Sequence, residues 1–180
     1  MNHLSKYKIR PNEYFMLMAR MEPENNIEMI LEGYVASGNP NPFIVIGGYG
    51  NKFGAKMFQR YSSRVKFIGG VYNKSELDSL RYFSTAYFHG HSVGGTNPSL
   101  LEAMACRSFI ISHDNAFNKG VLGDDAIYFL NKRELVERFH SIEQLIAKTG
   151  KLLRTGILIR LSASIIGRRS RFSMRRCLSR

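Results

Sequence analysis

The chain has 180 residues, 44% of them hydrophobic, with 26 Lys and Arg against 14 Asp and Glu and a net charge of +12. That length holds one well-buried core and a tail, and no apolar run of about 18 residues is present that could span a bilayer as a helix. Cys106 and Cys177 stand apart, with no CxxC pair and no neighbouring His/Cys spacing, so neither a disulfide framework nor a zinc site is expected.

Residues 1–13 show no period and read as a lead-in to a domain spanning 14–150. Tyr14 to Ala19 is a continuous apolar run, the pattern of a strand buried on both faces, and it ends at Arg20. A loop with capping residues leads to a helix at 27–37, whose buried stripe is Ile27, Ile30, Leu31 and Tyr34. Phe43 to Ile46 is a second strand, followed by the Gly47-Gly-Tyr-Gly50 turn and a helix near 52–62. Val65 to Ile68 is a third strand, and Asn73 to Glu76 opens a short helix through Leu80 in the manner of a capping box. Ala86 to His89 is a fourth strand, Phe109 to Ser112 a fifth and Ala126 to Phe129 a sixth, the last two joined by a polar loop from His113 to Asp125. A final helix from 132 to 148 carries Leu135, Phe139, Ile142 and Ile146 at helical spacing. Six short apolar strands alternating with helices predict an α/β fold with a doubly wound parallel sheet.

The stretch from His89 to Cys106 reads as a strand end, a glycine-turned loop and a helix start. Asn97 suits the N-cap and Pro98 the first helical position, while Leu100, Leu101 and Met104 give an apolar face. Gly94 and Gly95 let the backbone approach a ligand above the helix N-terminus, where free N–H groups and the macrodipole favour phosphate. Glu102, about one turn further in, can accept hydrogen bonds from hydroxyls of the same ligand. Phosphate with hydroxyls suggests a nucleotide. His89 and His91 bracket Gly90 and can polarise a hydroxyl or bond a phosphate, and a structural use of each stays open. The glycines at 47, 48, 50 and 54 only superficially match a dinucleotide fingerprint, because they follow the second strand and lack the acidic partner. Gly48 is therefore expected in a sharp turn beside the ligand.

From Lys151 onward the character changes: residues 151–180 hold one Lys, eight Arg and no acid, a charge of +9, whereas residues 1–150 balance to +3. One reading is a basic amphipathic segment that lies on an acidic membrane surface. The other is sequence that does not fold with the domain, as from a shifted frame or a truncated gene, and the abrupt loss of acids favours it. With no signal-peptide pattern, a cytoplasmic location is expected, with peripheral contact at the inner membrane face under the first reading.

The segments Ala19-Arg-Met-Glu-Pro-Glu-Asn-Asn26 and Gly94-Gly-Thr-Asn-Pro-Ser-Leu-Leu-Glu-Ala-Met-Ala105, in this order, resemble the C-terminal half of family 4 (group 1) glycosyltransferases of the GT-B fold. The second segment resembles the rhamnosyltransferase branch that serves surface polysaccharide synthesis. The resemblance covers roughly residues 14–146. It implies a Rossmann-like donor domain, one half of a GT-B fold, that binds a nucleotide-diphosphate sugar and needs no metal or other cofactor. The saccharide or lipid-linked acceptor would sit on a missing N-terminal domain. Arg20 matches the arginine that contacts the donor diphosphate, Glu102 the glutamate that binds the ribose, and Gly95, Thr96 and Asn97 the loop backbone at the diphosphate. Three positions depart from the family pattern: Gly94 replaces a glutamate near the donor sugar, Asn25 replaces a lysine, and Gly120 stands where a further glutamate is common. His91 or loop backbone would then serve the sugar in place of the first glutamate.

These features predict a donor-binding domain with little or no transfer activity alone. The competing expectation is a non-catalytic nucleotide-binding module whose basic tail adsorbs to anionic membrane or nucleic acid, without specific nucleic-acid recognition. A nicotinamide-binding domain would need an acidic ribose partner after the first strand, and none can be placed.

Overall fold

Short runs of aromatic, β-branched and long apolar residues form the strands of this protein, of which a computed structural model describes residues 3–93 and 97–167. β1 is Phe15–Met18, β2 Phe43–Ile46, β3 Val65–Gly69, β4 Ala86–His89, β5 Ile110–His113 and β6 Ile127–Phe129. They make one parallel sheet in the order β3-β2-β1-β4-β5-β6. Because successive strand residues point to opposite faces, each strand supplies two cores. Phe15, Leu17, Phe43, Val45, Phe88 and Ile111 point to one face, and Met16, Ile44, Ile46, Tyr87 and Ile110 to the other.

α1 (Ile27–Ser37), α2 (Lys52–Tyr61) and the start of α6 (Lys132–Gly167) cover the first face, and α3 (Lys74–Tyr82), α4 (Pro98–Ala105) and α5 (Ala116–Leu122) the second. On the first face Phe139 stacks on Phe88 with ring centroids 4.7 Å apart and meets Phe15 edge-on at 5.3 Å. Each such fully buried ring contributes roughly 1.5–3 kcal/mol of hydrophobic stabilisation. The aromatic layer therefore fixes the height at which β1 and β4 stand beside one another.

Three elements differ from the sequence expectation. Residues 1–13 are not a bare lead-in: Leu4 and Ile9 are buried in the second core, and the Lys6 ammonium and Tyr7 hydroxyl both donate to Glu76 Oε1, at 2.9 and 2.6 Å. The expected loop at 113–125 contains α5, started by Asn115, whose side chain accepts from the Asn118 amide at 2.9 Å. Only Asn118 and Leu122 of this seven-residue helix are buried, so it shows no apolar stripe to read. The third difference is at 150/151, where the expected domain edge falls inside α6. Leu153 joins the first core and Ile157 the second, so the helix passes from one face to the other, with Gly156 close against the Asp125 carboxylate. The domain core thus uses residues beyond 150.

Candidate functional site

The order in which strands are added reverses between β1 and β4, all of them remaining parallel, and the helices that follow those two strands go to opposite faces. Their loops must part above the carboxyl ends of the strands, which leaves a crevice there. The crevice measures about 770 Å³. The β1 loop contributes Arg20 and Glu22, the β2 loop Gly47 and Gly48, the β3 loop Gly70 and Tyr72, the β4 loop His91, and the start of α4 Asn97, Ser99 and Glu102. Two glycines let the backbones draw together: a Cβ on Gly47 would strike the Ala19 carbonyl oxygen, and one on Gly90 the Asn25 carbonyl oxygen. Gly48 has open space where a Cβ would stand, so a ligand can reach the backbone there.

α4 begins as its sequence dictates. Asn97 Oδ1 accepts from the Ser99 amide at 2.9 Å, and Pro98 occupies the first turn, where its missing N–H leaves no orphan donor. The Ser99 hydroxyl is 2.5 Å from the Tyr87 hydroxyl, which ties the helix start to β4. Gly94, Gly95 and Thr96, the remaining expected phosphate-loop residues, lie outside the described residues.

Arg20 is exposed at the rim, and its guanidinium makes no hydrogen bond or ion pair among the described residues. Asn25 and His91 are locked to one another. The Asn25 amide group donates to the Arg20 carbonyl at 2.8 Å, so its oxygen is the acceptor facing His91 Nδ1 at 2.7 Å. His91 must then carry its proton on Nδ1, and in the neutral ring Nε2 is left as an acceptor. The His91 carbonyl is held by the Asn115 and Asn118 side chains at 3.0 and 2.9 Å, and Asn26 donates to the Gly90 carbonyl at 2.8 Å. Asn25, at the position where the resemblance implies a lysine, thus serves the β4 loop and brings no charge to the crevice.

His89, the last residue of β4, is buried, and its Nε2 has no partner among the described residues. Burial, aided by the neighbouring His91, pushes its pKa down to about 3. The folded chain therefore holds His89 neutral while the unfolded chain protonates it near pH 6.5. Stability is unaffected by this group above that pH and falls as the pH drops toward the folded value. The loss by pH 5 is about 2 kcal/mol. His113, lowered chiefly by burial, adds in the same direction. Denaturant melts of wild type and His89→Leu between pH 7 and 5 check this, and a variant profile as steep as wild type would rule it out.

Glu102 faces the crevice with its side chain 30% exposed, and beneath it lies Arg81, 1% exposed. Arg81 Nη2 is 2.5 Å from Glu102 Oε2, and Nη1 is 3.5 Å from Asp78 Oδ1. Sequence reading passed over Arg81 and Tyr87, and took Asn25 only as a replaced lysine. Arg81 had one signal: it stands four residues after Leu77 on the buried stripe of α3, where a charge requires a partner.

A six-stranded parallel sheet in this order, open to a crevice at its switch point, defines a Rossmann-like α/β domain. The chain belongs to the glycosyl transferases group 1 family, which matches residues 3–164. No curated protein matches it in sequence at a significant level. Among solved structures it is similar to Anabaena HepE in complex with UDP, with a TM-score of 0.72 at 13% identity over 91% of this chain and 50% of that one. It is also similar to the C-terminal domain of a group 1 family glycosyl transferase, LpcC, from Francisella tularensis, with a TM-score of 0.67 at 17% identity over 94% and 92% of the two chains. TarM gives a TM-score of 0.66 at 17% identity over 88% of this chain and 34% of its own. The fold is that of the C-terminal domain of GT-B glycosyltransferases, and the chain spans about a third to a half of the longer structures it matches.

Proposed function

We propose that the chain binds a nucleoside diphosphate sugar in this crevice and forms the donor half of a sugar-transfer site. The observation that carries this reading is that Arg20 and Glu102 face one crevice from opposite sides of the switch point, about the N-terminus of α4. The Arg20 guanidinium and the helix N-terminus neutralise charge that grows on the departing diphosphate, and Glu102 holds the ribose. His91 Nε2 accepts from a donor-sugar hydroxyl, the task left open by Gly94. HepE and the pneumococcal GtfA bind UDP, which supports a uridine donor here. The motif around Asn97 favours rhamnose as the transferred sugar and a saccharide or lipid-linked acceptor of surface polysaccharide synthesis. The acceptor binds to the other half of the GT-B pair, so this chain alone is expected to bind donor and transfer little. Calorimetry with UDP, ADP, GDP and dTDP tests the reading, with micromolar to millimolar binding of at least one expected. Binding of none of them, or rapid sugar transfer by the chain alone, would contradict it.

Under the same proposal the domain works on the cytoplasmic side of the membrane, with the basic C-terminal end meeting anionic lipid. No helix among the described residues is long and apolar enough to cross a membrane. Leu153 and Ile157 belong to the core, so the segment to remove in a test is 168–180, which carries six of the tail's basic residues. Adsorption to phosphatidylserine vesicles should fade between about 0.05 and 0.5 M salt and be lost on that deletion, while nucleotide binding persists. Adsorption that ignores both changes would refute tail-driven contact.

A further inference from the structure

The geometry points to Arg81 as a positioning residue. By occupying one oxygen of Glu102 it presents the other to the ribose, so recognition of the sugar hydroxyls depends on a residue that never touches the nucleotide. This inference rests on the donor reading above.

Arg81 belongs to α3, which contributes no residue to the crevice wall, yet its side chain ends beneath Glu102 of α4. Its guanidinium is held at both ends. Nη2 meets Glu102 Oε2 and lies 3.1 Å from Met18 Sδ, while Nη1 faces Asp78, itself bridged to Lys74 at 3.2 Å. A planar group fixed in this way fixes the carboxylate that it bonds. Oε2 is committed to Arg81, and Oε1 takes no hydrogen bond among the described residues. A free glutamate on the first turns of a helix samples several rotamers, and ordering it on binding costs affinity. Here the ordering is complete before the nucleotide arrives.

Stability alone does not account for the arrangement. Arg81 Nε is buried without a partner among the described residues. Apolar side chains of similar volume would fill the same space at no loss, since buried ion pairs commonly do no better than their hydrophobic replacements. The pair is placed where its one distinctive product, an oriented and charged acceptor, faces the crevice.

The test compares affinities of the full chain for UDP and for 2′,3′-dideoxy-UDP. Wild type is expected to favour UDP by about tenfold or more, the worth of hydrogen bonds to a charged acceptor. Arg81→Lys and Arg81→Gln should reduce that ratio to about threefold or less, with affinity for the dideoxy ligand kept within about twofold of wild type. A folded variant that keeps the full ratio, or loses both affinities equally, overturns the proposal. Should neither variant fold, Asp78→Ala removes the acceptor at the far end of the guanidinium and should lower the same ratio, and an unchanged ratio again overturns it. A wild type without preference for UDP would instead show that Glu102 does not read the ribose, and the role of Arg81 falls with that reading.

Discussion

Arg20→Ala is expected to weaken nucleoside diphosphate binding by about 10- to 100-fold, the worth of one or two charge-assisted hydrogen bonds to phosphate. It should leave the stability of the free chain within about 0.5 kcal/mol of wild type. The asymmetry follows from the structure: the Arg20 guanidinium is exposed and has no partner among the described residues, so truncation breaks nothing in the unliganded protein. Its backbone carbonyl, which does bond to Asn25, survives the substitution. Arg20→Lys should recover part of the affinity, because a point charge replaces a planar fork. Calorimetry with UDP and a thermal melt of the same samples decide the matter. Equal affinity for wild type and Arg20→Ala would remove Arg20 from the site.

Glu102→Ala is expected to behave differently, losing both binding and stability. Arg81 is buried, and without Glu102 it retains, among the described residues, only Asp78 at 3.5 Å and the weakly accepting Met18 sulfur at 3.1 Å. Removing one member of a buried pair costs about 3–5 kcal/mol, and the partial exposure of Glu102 and the presence of Asp78 place this case at the low end. For a chain of this size about 3 kcal/mol lowers the melting temperature by about 6–12 °C. A loss of nucleotide binding by Glu102→Ala would therefore mix two causes. Glu102→Gln keeps an oxygen for Arg81 and so should melt closer to wild type, while the amide NH2 that then replaces Oε1 cannot accept from ribose hydroxyls. Loss of UDP affinity by Glu102→Gln with little change in melting temperature is the outcome that isolates ribose binding. A Glu102→Ala variant that melts with wild type would show that the Arg81 pair carries no stability.

The fold was legible because its signals are local. The apolar runs at Phe15–Met18, Phe43–Ile46 and Ala86–His89 can bury both faces only inside a covered parallel sheet, and the sheet is that. Asn97 and Pro98 announced the start of α4 for the same reason, since caps act within one turn. α5 was hidden because a helix with two buried residues has no period to display. The end of the domain was misread because composition changes at Lys151 while packing does not: Leu153 and Ile157 lie within a basic stretch and are core residues all the same.

The candidate site divides along the same line. Sequence by itself determined that Arg20, Gly48, His91, Asn97 and Glu102 follow strand ends or a helix start, and in an open α/β sheet that places them at one edge, around one crevice. Only the tertiary structure decided what each is free to do. Asn25 reaches His91 across 66 residues and sets its tautomer, and Arg81 reaches Glu102 across 21 and occupies one of its oxygens. Such pairings depend on how α3, α4 and the strand loops pack, and hydrogen bonds and ion pairs act over only a few ångströms. Residue type and chain position carry no record of which side chains come that close.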